Sequence, residues 1–179
     1  DSLGTDIINS SLGYTVFYDP TQDYTYADMN GNTTRVTRGA NMAVSKGILV
    51  VNSAGNYGNG FWNYIIAPAD GFNVLTVGAV DFEGNIASFS SLGPTSDGRI
   101  KPDVVAQGSG TAVINWNNNV TPGSGTSFSG PIIAGAVACL WQALPNKTNL
   151  EIIDYVKKSS HLYPNPNNIF GNGIPNFAA

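Results

Sequence analysis

Gly125-Thr126-Ser127-Phe128-Ser129-Gly130-Pro131 leads directly into an apolar run, Ile132 to Trp141. The spacing predicts a long helix with a serine in its first turn. A helix start leaves backbone N–H groups without partners and a positive dipole end beside the hydroxyl. An oxygen that turns negative during acyl transfer is stabilised at such a place. Gly125 lets the backbone approach closely, and Pro131 is expected within the first turn, where its missing N–H removes nothing. A bare Gly-Thr-Ser is ordinary loop chemistry; the loop before it and the apolar helix after it make Ser127 a candidate nucleophile. The G-x-S-x-G elbow is excluded, because position 129 is Ser. No histidine precedes Ser127, and the only one present is His161.

The 179 residues suit one domain with a real core. Charged residues make up only 11%, and Gly, Ser, Thr and Asn take their place. A net charge of −4 argues against a nucleic-acid partner, since no general basic face is available. No apolar stretch reaches the roughly 18 residues that a membrane span needs. No signal peptide is visible, and the chain opens on Asp1-Ser2-Leu3-Gly4 as though the fold were entered midway. The single Cys139 excludes an intrachain disulfide and is expected to be a small buried hydrophobe.

Apolar runs at 6–11, 48–54, 73–80 and 103–106 read as buried strands, the middle two nearly continuous and β-branched, as parallel strands covered on both faces are. Between the first two, Val36, Ala40, Ala43 and Val44 fall at helical spacing, with Gly47 as a stop signal. Strand, helix, strand implies a parallel α/β sheet. Residues 14–32 look like a surface insertion, and 107–124 a loop with a hairpin around Ala112–Val120. The Ser127 helix is apolar all round and belongs in the centre of a domain. Thr148-Asn-Leu-Glu opens a last helix with a capping box.

At this point the chain resembles the subtilisin-like serine proteases. GTSFSGP is similar to that family's nucleophile motif, VVNSAGN at 50–56 to the strand ending in its oxyanion asparagine, and IINSSLG at 7–13 to the strand lining its substrate groove. IAPADGFNVLTVGAVD at 66–81, ASFSSLGP at 87–94, KPDVVAQG at 101–108 and FGNGIPNFAA at 170–179 follow in order. The resemblance implies a three-layer parallel sheet flanked by helices, truncated on its N-terminal side. It implies Ser127 as nucleophile and the Asn56 amide with the Ser127 N–H as oxyanion site. Ser11, Leu12 and Gly13 would pair with an extended peptide, and Ser53, Ala54 and Gly55 would line the pocket for the residue before the cut. On the residues alone, Asn56 could equally be a turn asparagine in Gly-Asn-Tyr-Gly.

The family's order is Asp, His, Ser, and neither Asp-Thr-Gly nor His-Gly-Thr occurs here. His161 reads as a turn or helix-end residue. The chain is therefore expected to be the C-terminal part of a peptidase domain whose Asp and His lie elsewhere, nearly inactive alone. The alternative is a pseudo-protease or assembly module that binds extended peptides without chemistry. With β-strand 6–11 as an uncovered edge, a homo-oligomer or union with the missing N-terminal part is expected. The resemblance implies a secreted or envelope location, and the residues themselves call for no cofactor, calcium remaining an option. Asp28-Met-Asn30-Gly-Asn32 faintly echoes a calcium loop, although Thr33 and Gly39 stand where Gly and Glu belong. One His and one Cys do not support zinc. Trp62 and Tyr64 either touch substrate or anchor their loop.

Overall fold

A computed structural model describes residues 2–178; Asp1 and Ala179, the two ends of the stretches quoted above, lie outside the described residues. Four parallel strands, β1 (Ile7–Ser10), β2 (Leu49–Ser53), β3 (Leu75–Val80) and β4 (Val104–Gln107), form one sheet in sequence order. Ile7 sits opposite Leu49, Val51 opposite Leu75, and Val77 opposite Val104. Every residue of β2 and β3 is buried, which is why both read as unbroken apolar runs rather than alternating ones.

Two helical layers produce that burial. α1 (Arg35–Ser45) covers one face, where Val44 packs with Ile48, Val50 and Val74. On the other face α2 (Thr126–Ala143) and α3 (Asn149–Lys158) bring Ile133, Val137, Ile152 and Val156 against Leu49, Val51, Leu75, Val77 and Val104. Alternate residues of β2 thus serve opposite layers, the period of two at work. The architecture is three layers, α/β, parallel throughout the sheet.

α1 ends as the sequence indicates. The Gly47 N–H donates to the Val44 carbonyl and the Ile48 N–H to that of Ala43, a paired closure that requires the positive φ of 89° at Gly47. α3 begins on the expected box: the Thr148 hydroxyl accepts from the Glu151 N–H, and the Glu151 carboxylate accepts from that of Thr148. The hairpin consists of β5 (Thr111–Ile114) and β6 (Val120–Gly123).

Three expectations need correction. α2 starts at Thr126, so Pro131 is its sixth residue rather than part of the first turn. Its missing N–H therefore leaves the Ser127 carbonyl without its helical donor, and the Ser11 hydroxyl donates there instead, at 3.3 Å. Second, α2 is buried on one face only. Pro131, Ile132, Gly135, Ala138 and Cys139 form an exposed stripe, and Cys139 is exposed, not core, because nothing among the described residues packs outside β1. Third, the 14–32 segment is anchored from within. Met29 is fully buried among Ala54, Ile65, Ala67 and Ala69.

Behind the sheet lies a buried ionic knot. The Lys101 ammonium donates to the Val74 carbonyl (2.7 Å), the Thr76 hydroxyl (3.0 Å) and Asp103 Oδ2 (2.6 Å), which uses all three protons. Asp103 Oδ2 also accepts from the Thr76 N–H, and Oδ1 pairs with Lys157 of α3. β3, β4 and α3 are joined through one carboxylate.

Candidate active site

β1 and β2 end side by side, and the chain leaves each strand toward the start of α2. Ligands of parallel sheets bind outside such carboxyl ends. A cavity of about 350 Å³ opens there, lined by Ser11, Leu12, Gly13, Ser53, Gly55, Asn56, Tyr57, Ile66, Thr126 and Ser127. Seven of the eight residues singled out from sequence, Ala54 excepted, meet in this cleft. Ala54 does not line it: its side chain is fully buried, its N–H donates to the Val77 carbonyl, and its carbonyl accepts from Ile66. Ser53 lines the cleft, but its hydroxyl is committed to the Thr126 carbonyl at 2.8 Å, tying β2 to α2.

Asn56 is more than a turn residue. Its Oδ1 accepts from both the N–H and the hydroxyl of Thr126, each at 2.9 Å. A backbone N–H can only donate, so this contact fixes which end of the amide faces the helix. The NH2 end is left uncommitted among the described residues, close to Gly125. Gly125, the residue ahead of the helix, has no side chain to cap it; Asn56, 70 residues from Thr126, supplies the cap. The Ser127 N–H likewise has no partner among the described residues. Two free donors at a positive helix end thus belong to residues that line one cleft with the half-buried Ser127, an arrangement able to hold a developing oxyanion.

Thr126 is the residue that sequence reading passed over, although it stands inside the quoted motif. It is 1% exposed, and its hydroxyl both donates to Asn56 and accepts from the Gly55 N–H at 3.3 Å. It acts on the cleft through Asn56 and is a positioning residue. Tyr57 and Ile66, also unforeseen, line the cleft; the loop carrying Tyr57 is pinned where its N–H donates to the Ser91 hydroxyl. Segment 11–13 is exposed, and the Gly13 N–H and carbonyl have no partners among the described residues, leaving them open to an extended peptide.

None of the ten lining residues is His, Asp or Glu. His161 is occupied elsewhere: its Nδ1 accepts from the Ile174 N–H at 2.9 Å. A general base for Ser127 is therefore not supplied by the cleft itself. The other sequence candidates resolve into scaffolding. Asp28 accepts from the Thr25 N–H and hydroxyl, and Asn30 Oδ1 accepts from the Asn32 and Thr33 N–H groups. Trp62 donates to the Ile65 carbonyl and Tyr64 stacks on Tyr26, so both anchor their loop. Among the described residues no group of three or more His, Cys, Asp or Glu could hold a metal ion, and no helix is long and apolar enough to cross a membrane.

The model of the subtilase family, Peptidase_S8, matches residues 2–173. The chain is 33% identical over 141 residues to the membrane-bound transcription factor site-1 protease of Mus musculus, which covers 75% of this chain and 12% of that protein. It is 34% identical over 139 residues to Subtilisin Savinase of Lederbergia lenta, covering 78% of this chain and 48% of the relative. Among solved structures it superposes on MycP1 from the ESX-1 type VII secretion system with a TM-score of 0.74 at 24% identity, over 98% of this chain and 51% of that one. The prenylagaramide maturation protease PagA gives 0.75 at 22% identity, over 98% and 60%. These two likenesses establish the fold. The chain spans about half the length of Subtilisin Savinase and 12% of the site-1 protease.

Proposed function

We propose, on the premise that this chain belongs to the subtilase family, that it supplies the nucleophile and oxyanion site of a serine endopeptidase completed by residues outside it. The observation that carries this reading is the cap made by Asn56 on the Ser127 helix, which turns the amide NH2 away from the helix and leaves it free to donate. The Ser127 hydroxyl would attack a peptide carbonyl and pass its proton to a histidine supplied from outside this chain. The Asn56 NH2 and the Ser127 N–H would hold the oxyanion, while segment 11–13 holds the substrate backbone extended. Ser11, donating to the Ser127 carbonyl, would couple the groove to the nucleophile.

The uncovered side of the molecule supports a completing segment at that place. Among the described residues β1 pairs only with β2, and beside it a groove of about 450 Å³ is lined by Ile7, Ala138, Trp141 and Pro145 together with Asp6, Gln142 and Lys147, next to the exposed stripe of α2. A preceding strand and helix bearing Asp and His would cover both. Without them a second copy of the chain is the expected cover, because open edges and apolar faces associate. Light scattering at tens of micromolar should then report a dimer or larger; a monomer would remove this part of the proposal. A secreted or envelope location is proposed on family grounds.

A fluorophosphonate probe tests the chemistry. It should label Ser127 rapidly in the full-length parent and slowly in the 179-residue chain, and label nothing after Ser127→Ala. Equal, rapid rates in parent and chain would overturn the dependence on an outside base. An unreactive parent would favour the second reading, a peptide-binding module without chemistry, for which the lack of any acid or base lining the cleft is the supporting observation.

A further inference from the structure

We infer that Ile66 closes the deep end of the cleft and restricts the residue at the cut to a small side chain, an inference that rests on reading the cleft as a peptide groove. The two walls of the cleft are the continuations of β1 (11–13) and β2 (53–56). Ile66 lies between them. A Cβ built on Gly13 would stand 2.0 Å from Ile66 Cδ1, and one built on Gly55 would stand 3.0 Å from Ile66 Cγ1 and 3.2 Å from Cδ1. One terminal methyl group therefore touches both walls. The gap between them is filled to the depth of that methyl; a side chain on Gly13 would collide with it, while one on Gly55 would meet the Ser91 hydroxyl first, at 2.8 Å, and Ile66 next.

The plug is rigid. The Ile66 N–H donates to the Ala54 carbonyl (3.2 Å), its carbonyl accepts from Ala69 (2.8 Å), and the adjoining Ala67 carbonyl accepts from the Tyr14 N–H (2.9 Å). The backbone carrying Ile66 is thus stitched to the β2 wall and to the residue that follows the β1 wall. Ile66 is 7% exposed, and a β-branched side chain is restricted at χ1. A side chain entering between Gly13 and Gly55 meets the terminal methyl group of Ile66. Alanine or glycine fits above it; phenylalanine, leucine or arginine must displace a packed residue, which protein interiors resist.

The test uses the 179-residue chain and binding alone, so that it does not depend on the missing base. Dissociation constants for acetyl-tetra-alanine and acetyl-trialanyl-phenylalanine, both ending in a free carboxylate, are read from amide chemical shifts at Gly13 and Gly55. The wild-type chain should prefer the alanine peptide by about 10–200-fold, the range that one misfitting group produces in an apolar pocket. Ile66→Ala should erase or invert that preference, and Ile66→Val, which removes a single methyl group, should shift it part of the way with the fold intact. Equal or tighter binding of the phenylalanine peptide to the wild-type chain would overturn the inference while leaving the groove in place. So would an unchanged ratio in a folded Ile66→Val variant. Binding of neither peptide to the wild-type chain would remove the groove itself, and the proposed function with it.

Discussion

Replacing Asp103 by asparagine should cost about 3–5 kcal/mol of stability, the penalty for leaving a buried charge without its partner. The variant keeps the shape and one acceptor but strips the counter-charge from Lys101, which is 2% exposed and cannot reach water without breaking the packing between β3 and β4. Burial already pushes the Lys101 ammonium below its ordinary pKa against the pull of Asp103. Denaturant titration reads the loss directly. Adding Lys101→Met to Asp103→Asn should recover a large part of it, because methionine removes the buried ammonium that the first substitution leaves without a counter-charge. Equal stability of wild type and Asp103→Asn would show that the knot contributes nothing.

The same carboxylate sets a pH signature. Burial alone would raise the Asp103 pKa, but Lys101 and Lys157 overcome it and bring the value down from 3.8 to about 2. A carboxylate depressed by folding stabilises the native state above its unfolded pKa, and that contribution fades as pH falls through the folded value. Stability should therefore decline between about pH 4 and pH 2, and the decline should be shallower in Asp103→Asn, where Glu151 and the other depressed carboxylates remain.

The second large effect concerns Asn56 in the peptidase proposed above, completed by residues outside this chain. Asn56→Asp keeps the acceptor that caps α2 through Thr126 and removes the donor that faces the cleft. Turnover should fall by at least about 10²–10³-fold, the loss measured for the oxyanion asparagine of a subtilisin and not a figure calculated for this chain. KM should change little, because charge on the substrate oxygen develops only in the transition state. Asn56→Leu should lose turnover and also about 0.5–2 kcal/mol of stability, since it removes the cap as well. The contrast between the two variants separates chemistry from capping. Undiminished turnover in Asn56→Asp would end the assignment of Asn56 as an oxyanion donor.

The strands, α1 with its Gly47 closure, α3 with its Thr148 box and the arrival of Ser127 at a helix start were legible in the sequence. Each depends on apolar periodicity or on a capping residue within a few positions, and such signals are local. The apolar stretch from Ile132 announced a helix but not its first residue. Once α2 begins at Thr126, Pro131 changes from a harmless starter into the cause of a freed Ser127 carbonyl, taken up by Ser11. The exposure of Cys139 was equally hidden, because an all-apolar helix says nothing about which of its faces finds a neighbour.

What only the tertiary structure decided joins residues far apart in the chain. The Asn56 cap on Thr126 spans 70 positions, and Lys101 reaches Val74 across 27. Ile66 enters the cleft because its backbone is hydrogen-bonded to Ala54 and its neighbour's to Tyr14. No sequence window contains both partners of such contacts, so residue type alone could not tell a plug from a core isoleucine or a caught lysine from a surface one. Local chemistry selected the elements; the convergence of two strand ends on one helix start made them a site.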